Sequence, residues 1–427
     1  MCIVPKMLDV FELVLHIVEN IQMISVITLM LAFITRRTQP RLAAFFLLWL
    51  PALIATMVLA TYMGSYWDAA DRGYDTSLPS IREKLEAYIA DGSGDLEEII
   101  EGGEHAPTFG SHEVGYIVRD LLSHTLFHLD SHNAMNIPVA YNKGDDWFEA
   151  TLGGPMVYTS GIYRTGTESL ETAQNYKLDY VADALDLRPK DRVLDIGCGW
   201  GRLVKHFSEK YKANVTGITL SESQAEYGRK LNAGNGGQIL IQDAMTYEPN
   251  GRFDKIASLE MAEHVGIKRY AEFLSRVHSM LEDDGVFYFQ VAGLRRAWQY
   301  EDLVWGLFMG QEIFPGADAS CPLGWVSTHL ERAGFEIQRV SNLGTHYSRT
   351  LDQWLAGWRR SQASIEMAHG AVAWRRWEVF LRWSVRIARE GSSTVFMFTL
   401  TKAGQTPVRI RTQRKLVPKL DSGCSLF

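Results

Sequence analysis

The sequence predicts an α/β protein: a doubly wound, Rossmann-like sheet with helical insertions, preceded by an amino-terminal transmembrane helical hairpin. Three observations carry this. The run Asp191-Arg-Val-Leu-Asp195-Ile-Gly197-Cys-Gly199-Trp-Gly201 reads as an apolar strand that turns on three glycines. Behind it, strand-like and helix-like stretches alternate in order, the pattern of a sheet covered on both faces. Leu42 to Tyr66 is apolar without one charge, long enough for a bilayer crossing, which needs about 20 residues.

The amino-terminal hairpin has unequal arms. Leu13 to Thr35 is mostly apolar but holds His16, Glu19, Asn20 and Gln22, and Arg36, Arg37 and Arg41 separate it from the second run. A cleavable signal peptide does not fit, because the start is not basic and a second apolar segment follows. The arginines favour a cytosolic loop between the arms, and a true hairpin would then put the rest of the chain in the lumen, whereas a re-entrant hairpin would not. The side of the membrane is left open. Residues 1–66 are therefore expected to be the anchor, 67–135 a helical linker, 136–404 the catalytic domain and 405–427 a basic tail. Within the linker, Ser80 to Ile100 has helical spacing broken at Gly92 and Gly94. His124, His128 and His132 share a helix face, but no carboxylate motif completes a metal site.

The sheet can be followed strand by strand. Helical spacing from Arg202 to Tyr211 follows the glycine turn. Ala213 to Leu220 reads as a second strand and Ser221 to Leu231 as a helix capped by Ser221. Gln238 to Asp243, Phe253 to Leu259 and Gly285 to Val291 continue the series, and Ser393 to Leu400 closes it. Net charge is -7, so no general basic surface for nucleic acid is implied. The four cysteines are far apart and form neither a disulfide framework nor a zinc pattern.

Glycines at the carboxyl end of the first strand let a ligand approach the backbone where a β-carbon would repel it. The spacing after Asp195 is G-x-G-x-G, not the G-x-G-x-x-G of dinucleotide sites. It resembles the first motif of class I methyltransferases, which implies S-adenosylmethionine as cofactor and places Asp195 beside its methionine ammonium end. Asp243, ending the third strand, stands where a carboxylate can meet the adenine amino group.

Further along, the chain resembles the cyclopropane fatty acid synthase family. The resemblance rests on Val-Leu-Asp195-Ile-Gly197-Cys-Gly199-Trp-Gly201, on Gly217-Ile-Thr219-Leu-Ser221 with Gln224, and on Met261-Ala-Glu263-His264-Val-Gly266. Tyr141-Asn-x-Gly-Asp-Asp-Trp-Phe148 and Met156-Val-Tyr158-Thr159-Ser160-Gly add to it, and coverage runs from about Asn136 to Gly404. Gln290-Val-Ala-Gly293 and the block from Glu301 through Ser320 look most like the sphingolipid C9-methyltransferase branch. The resemblance implies cofactor contacts for Tyr158, Thr159, Gly197, Gly199, Gly201, Thr219 and Gln224, beside Asp195 and Asp243.

It also implies a chemistry. An alkene is a poor nucleophile, so its π face must be aligned with the methyl donor. The carbocation that forms needs a dry site and is stabilised by aromatic faces. Loss of a proton from the new methyl closes a cyclopropane; loss from the carbon that accepted it gives a methyl-branched alkene. In the family, bicarbonate takes that proton, held by a cysteine, a glutamate, a histidine and a tyrosine. Here Glu263 and Tyr347 match, but Ser160 stands at the cysteine position and Gln290 at the histidine position. Half the cradle is altered, which puts bicarbonate and ring closure in doubt. Ala140 replaces the family's usual histidine before Tyr141.

The expected reaction is therefore methylation of an alkene carbon in a membrane lipid, C9 of the sphingoid base of ceramide or glucosylceramide, in the endoplasmic reticulum membrane. Rival readings are a cyclopropane-fatty-acyl-phospholipid synthase, an N-methyltransferase, and a cofactor-binding membrane scaffold without catalysis. Trp298, Trp305, Phe308, Met309 and Phe314 fall in an insertion after the fifth strand. Trp354, Trp358, Trp374, Trp377 and Trp383 are interleaved with arginines. Each tryptophan alone reads as core; together they read equally as an amphipathic rim at lipid headgroups. Cys424-Ser-Leu-Phe427 matches a prenylation box behind five basic residues. Oligomeric state is not legible.

Overall fold

The computed structural model describes residues 78–102, 141–295 (Asn142 excepted), 300–315 and 321–404, with a few isolated positions before residue 78 and at 108. The expected membrane hairpin, His124, His128, His132, Ala140, Trp298 and the tail with Cys424 lie outside the described residues. Among the described residues, no helix is long and apolar enough to cross a membrane.

The chain divides into two compact units, residues 1–132 with 296–313, and residues 133–295 with 314–427. In the first, the helix Ile81–Asp91 starts at a capping box: Ser80 accepts from the Glu83 N–H while Glu83 reaches back to the Ser80 N–H. It ends at Gly92, in the left-handed region at φ 84°. Helix Leu96–Glu101 follows, capped by Asp95. The expected helical stretch with a glycine break is thus two helices. Arg82 is buried, 2.6 Å from Glu86 and 3.1 Å from Glu312, with its guanidinium over the Phe308 ring. Helix Tyr300–Phe308 and a π-turn over Met309–Ile313 complete this unit.

The second unit holds a seven-stranded sheet in the order β3-β2-β1-β4-β5-β7-β6. The strands are β1 (Arg192–Ile196), β2 (Asn214–Thr219), β3 (Gln238–Ile241), β4 (Phe253–Leu259), β5 (Leu281–Leu294), β6 (Phe335–Asn342) and β7 (Ser393–Lys402). The first five run parallel; β7 is antiparallel to both β5 and β6. The predicted doubly wound sheet is there, with two differences. Asp243 lies two residues beyond the end of β3 rather than on it. β6 is an edge strand that the sequence reading lacks: only Phe335 is buried along it and its register slips between Ile337 and Arg339, so its apolar alternation is weak.

Adjacent residues of each strand feed opposite cores, as the period of two demands. Leu194, Ile196, Ile256, Phe287, Phe289 and Phe398 pack on the helix Tyr270–Met280. Val193, Val215, Ala257, Val286 and Val395 pack on the other face with Val181, Val204 and Phe207 from helices Leu170–Ala184 and Arg202–Lys210. Central strands buried on both faces read as continuous apolar runs, which is why β4 and β7 stand out in the sequence.

The headgroup rim is corrected. Trp354 and Trp358 lie on helix Gly344–Arg360, and Trp374, Trp377 and Trp383 on Ala371–Arg389; none is more than 5% exposed. The Trp358 ring lies 4.7 Å from Trp147 of the helix Asp145–Leu152, tilted by 56° to it, and the Trp377 indole N–H donates to Thr151 Oγ1 at 3.2 Å. Trp354 and Trp358, four residues apart, share one face of their helix, and the second helix is buried on every side from Trp377 to Val385, so both sets of rings are core. Trp305 and Phe308 are buried as well.

Candidate active site

The site forms at the carboxyl ends of β1 and β4. After β1, the N–H groups of Gly197 and Cys198 both donate to Ile218 O at 3.0 Å, which pins the turn to β2. Gly197, Gly199 and Gly201 all have positive φ, but for different reasons. A β-carbon on Gly201 would meet Asn232 Nδ2 at 2.9 Å, and one on Gly197 would collide with the Met261 side chain. One on Gly199 would meet nothing within 4 Å. Two glycines are thus required by packing, while Gly199 opens onto free space.

Asp195 sits on β1, buried, with Oδ2 unpartnered among the described residues. Burial pushes its carboxyl up to about 7, opposed by the Lys177 ammonium. Lys177 is itself buried on helix Leu170–Ala184 and donates to Thr159 Oγ1 at 2.6 Å. Burial lowers its ammonium to about 8, against the opposing pull of Glu260 and Asp195. Beyond β2, Thr219 donates to Gln224 Oε1 at 2.8 Å, and the Ser221 side chain caps the next helix, as expected. Asp243 Oδ1 accepts from the Met245 N–H at 2.8 Å.

Aromatic rings wall the site. Tyr158 lies 5.0 Å from Trp354, 5.9 Å from Phe148 and 6.2 Å from both Tyr141 and Phe314. The Tyr141 hydroxyl is 2.9 Å from His264 Nε2. Burial holds His264 neutral, down to about 4, so Tyr141 meets an imidazole rather than an imidazolium. Tyr141, Tyr158, His264 and Tyr347 keep partial exposure although they lie deep in the fold, so they line an interior space. Burial and the charges of Glu260 and Glu263 raise the Tyr347 hydroxyl far above its ordinary value.

Two carboxylates follow β4. Glu263 is buried in a 3-10 turn; Oε1 accepts from the Ala292 N–H and Oε2 has no partner among the described residues. Burial, then the neighbouring Glu260, raise it to about 8. Neither of the proposed cradle residues Ser160 and Gln290 hydrogen-bonds Glu263. Both donate instead to Glu260 Oε1, from the Ser160 N–H at 2.8 Å and the Gln290 amide at 2.6 Å. The Ser160 hydroxyl turns away, to Gly161 O at 3.2 Å.

Glu260 and Lys177 are the site residues missing from the sequence reading. Lys177 had a signal: a charge on the same helix stripe as the buried Ala173, Leu178 and Val181. Glu260 had only its position, a lone carboxylate ending an apolar strand, where ligands of open α/β sheets bind.

With this geometry in hand, known proteins can be compared. The model of the mycolic acid cyclopropane synthetase family matches residues 128–398. The chain belongs to this family. It is 43% identical over 320 residues to sphingolipid C9-methyltransferase 2 of Gibberella zeae, covering 72% of this chain and 61% of that one. Against sphingolipid C9-methyltransferase A of Emericella nidulans, identity is 45% over 285 residues, 65% of this chain and 55% of that one. The chain thus spans less than two thirds of the length of these relatives. Among solved members of the cyclopropane synthetase family, a mycolic acid cyclopropane synthase in complex with SAH and CTAB superposes with a TM-score of 0.61 at 28% identity, over 64% of this chain and 99% of that one. The sheet of the second unit is the class I methyltransferase fold.

Proposed function

We infer that the protein is an S-adenosylmethionine-dependent C-methyltransferase acting on an alkene carbon of a membrane lipid, C9 of the sphingoid base of ceramide or glucosylceramide. The observation that carries this reading is the aromatic-walled interior site at the ends of β1 and β4, in a chain 43% identical to a sphingolipid C9-methyltransferase.

The residues fit the cofactor. Asp195 offers a buried carboxylate oxygen without a partner among the described residues, and Gly199 leaves open space beside it. Asp195 would take the ammonium end and Asp243 the adenine end. Gly197, Gly199 and Gly201 would supply backbone, with Tyr158, Thr159, Thr219 and Gln224 closing round. When bound, S-adenosylmethionine supplies an electrophilic methyl group on a positive sulfur. Tyr141, Phe148, Tyr158, Phe314 and Trp354 keep water out and offer their ring faces to a carbocation. Glu263 holds its proton at neutral pH, and Tyr347 stays a neutral hydroxyl.

Bicarbonate does not fit. The Ser160 N–H and the Gln290 amide, which stand at its cradle, are already engaged by Glu260. This favours a branched alkene over a ring. We assign residues 1–66 to a membrane anchor, 67–135 to a helical linker, 136–404 to the methyltransferase domain and 405–427 to a basic tail, with the protein in the endoplasmic reticulum membrane.

The test is expression of the chain in a host lacking the activity, followed by lipid mass spectrometry. Ring and branch add the same mass, so ozone cleavage of the product separates them. A branched sphingoid base that still cleaves at its double bond is the expected result; an ozone-resistant product overturns the branch, and unmodified lipids overturn the activity.

A further inference from the structure

The place of a free anion in this site is filled by the chain itself. Glu260 Oε1 accepts both the Ser160 N–H and the Gln290 amide, and no described residue donates to Oε2. The link to Gln290 is reciprocal, since the Glu260 N–H donates to Gln290 O at 2.7 Å. Gln290 is fully buried on β5, opposite Leu259 in the ladder. Glu260 also holds a φ of 52°, a left-handed conformation that costs a non-glycine residue energy and persists only where the surroundings impose it. Like the tyrosines around it, Glu260 lies deep yet partly exposed, so it faces the same interior space.

We propose that Glu260 is the proton acceptor of the reaction, with Oε2 the accepting oxygen. This rests on the reading of methyl transfer to an alkene. Once the π pair has formed the bond to the incoming methyl, the neighbouring carbon is cationic. The C–H bond of the methylated carbon then breaks, its electron pair becomes the new π bond, and its proton goes to Glu260. Cation and carboxylate become neutral alkene and carboxylic acid, and the acid returns its proton to water when the product leaves.

Glu263 is the poorer acceptor. Its Oε2 is sealed from solvent and unpartnered among the described residues, whereas Glu260 has two donors and the Lys177 ammonium nearby. Two adjacent buried carboxyls do not both ionise readily. Burial raises the Glu260 carboxyl, but the Ser160 N–H, the Gln290 amide and Lys177 pull it back. These three partners favour the ionised form at Glu260, and Glu263 has the Ala292 N–H alone.

The experiment uses the full chain in lipid vesicles containing the alkene substrate. Glu260→Ala and Glu260→Gln are compared with the wild type for turnover, for binding of S-adenosylhomocysteine, and for rescue by formate or bicarbonate. Both variants should bind S-adenosylhomocysteine as the wild type does and lose about 100-fold or more in turnover, the scale of a general base. Added formate or bicarbonate should restore Glu260→Ala about tenfold and leave Glu260→Gln, which keeps the space filled, unchanged. Wild-type turnover should be the same in carbonate-free buffer. Turnover that survives in both variants, or an Ala variant that binds S-adenosylhomocysteine but gains nothing from either anion, overturns the role of Glu260. So does a wild type that requires bicarbonate, and so does loss of S-adenosylhomocysteine binding in both variants. A wild type that makes no methylated lipid overturns the functional reading together with it.

Discussion

Replacing Glu263 by glutamine should make the protein more stable at neutral pH. In the folded chain this carboxyl is raised to about 8, first by burial and then by Glu260. An unfolded glutamate titrates near its ordinary value of 4.5. A raised folded value means the contribution is fully present below the unfolded value and is lost as pH rises toward 8. Between 4.5 and 7 the unfolded state gains by ionising while the folded state keeps its proton. At 1.36 kcal/mol per pH unit this costs the fold about 3 kcal/mol at pH 7. Glutamine cannot ionise, keeps an oxygen to accept the Ala292 N–H, and puts an unpartnered amide nitrogen where Glu263 has its unpartnered Oε2, so these losses largely cancel. The gain corresponds to a Tm rise of about 5–10 °C in a domain of this size. The measurement is thermal unfolding of wild type and Glu263→Gln from pH 5 to 8. The curves should converge near pH 5 and separate as pH rises. Parallel curves, or a less stable variant at pH 7, would refute the protonated Glu263.

Other substitutions test the cofactor loop and the core. Asp195→Asn should weaken binding of S-adenosylhomocysteine about 10- to 100-fold by calorimetry, the worth of a hydrogen bond to a charged group; an unchanged Kd removes Asp195 from the site. Gly199→Ala places a β-carbon in open space at a positive φ, so it should cost about 1 kcal/mol of stability yet weaken cofactor binding at least as much as Asp195→Asn. Equal binding would mean that nothing docks over Gly199. Trp358→Ala removes a fully buried ring packed against Trp147 and should cost about 3–5 kcal/mol in chemical denaturation. A near-neutral effect together with weaker vesicle binding would restore the headgroup rim.

What the sequence disclosed, and what it hid, follows from range and burial. β1, β4 and β7 are legible because strands buried on both faces are written as apolar runs. β6 is not, because it is an edge strand with one buried residue and a bulge. Asp195 and the three glycines announce themselves, since they are contiguous and end a strand. The tryptophans are ambiguous for a physical reason: a core helix and a membrane-surface helix share the 3.6-residue period, and only the partner of the apolar face distinguishes them. Ser160 and Gln290 meet on Glu260 Oε1, a partner that the sequence reading lacks. Glu260 draws its meaning from a backbone N–H 100 residues away and an amide 30 residues away, and no local spacing encodes that meeting.

Ser160 and Gln290, which stand where the resemblance implies a cysteine and a histidine, both donate to Glu260. A histidine at position 290 could carry charge and help to hold a diffusible anion; a glutamine cannot. Glutamine does offer a neutral amide donor, which suits a carboxylate fixed to the chain and favours its ionised form. Ser160 contributes through its main-chain N–H, while its hydroxyl turns to Gly161, so the side chain there need not be a donor toward the anion at all. A tethered carboxylate has no dissociation equilibrium and its position is fixed by the backbone at Glu260. That position then decides which carbon gives up its proton, and hence whether the product is a ring or a branch. The second carboxyl three residues on, kept protonated first by its burial and then by Glu260, adds no second negative charge to a dry, aromatic site, where such a charge would bind the carbocation as an ion pair and slow its collapse to product.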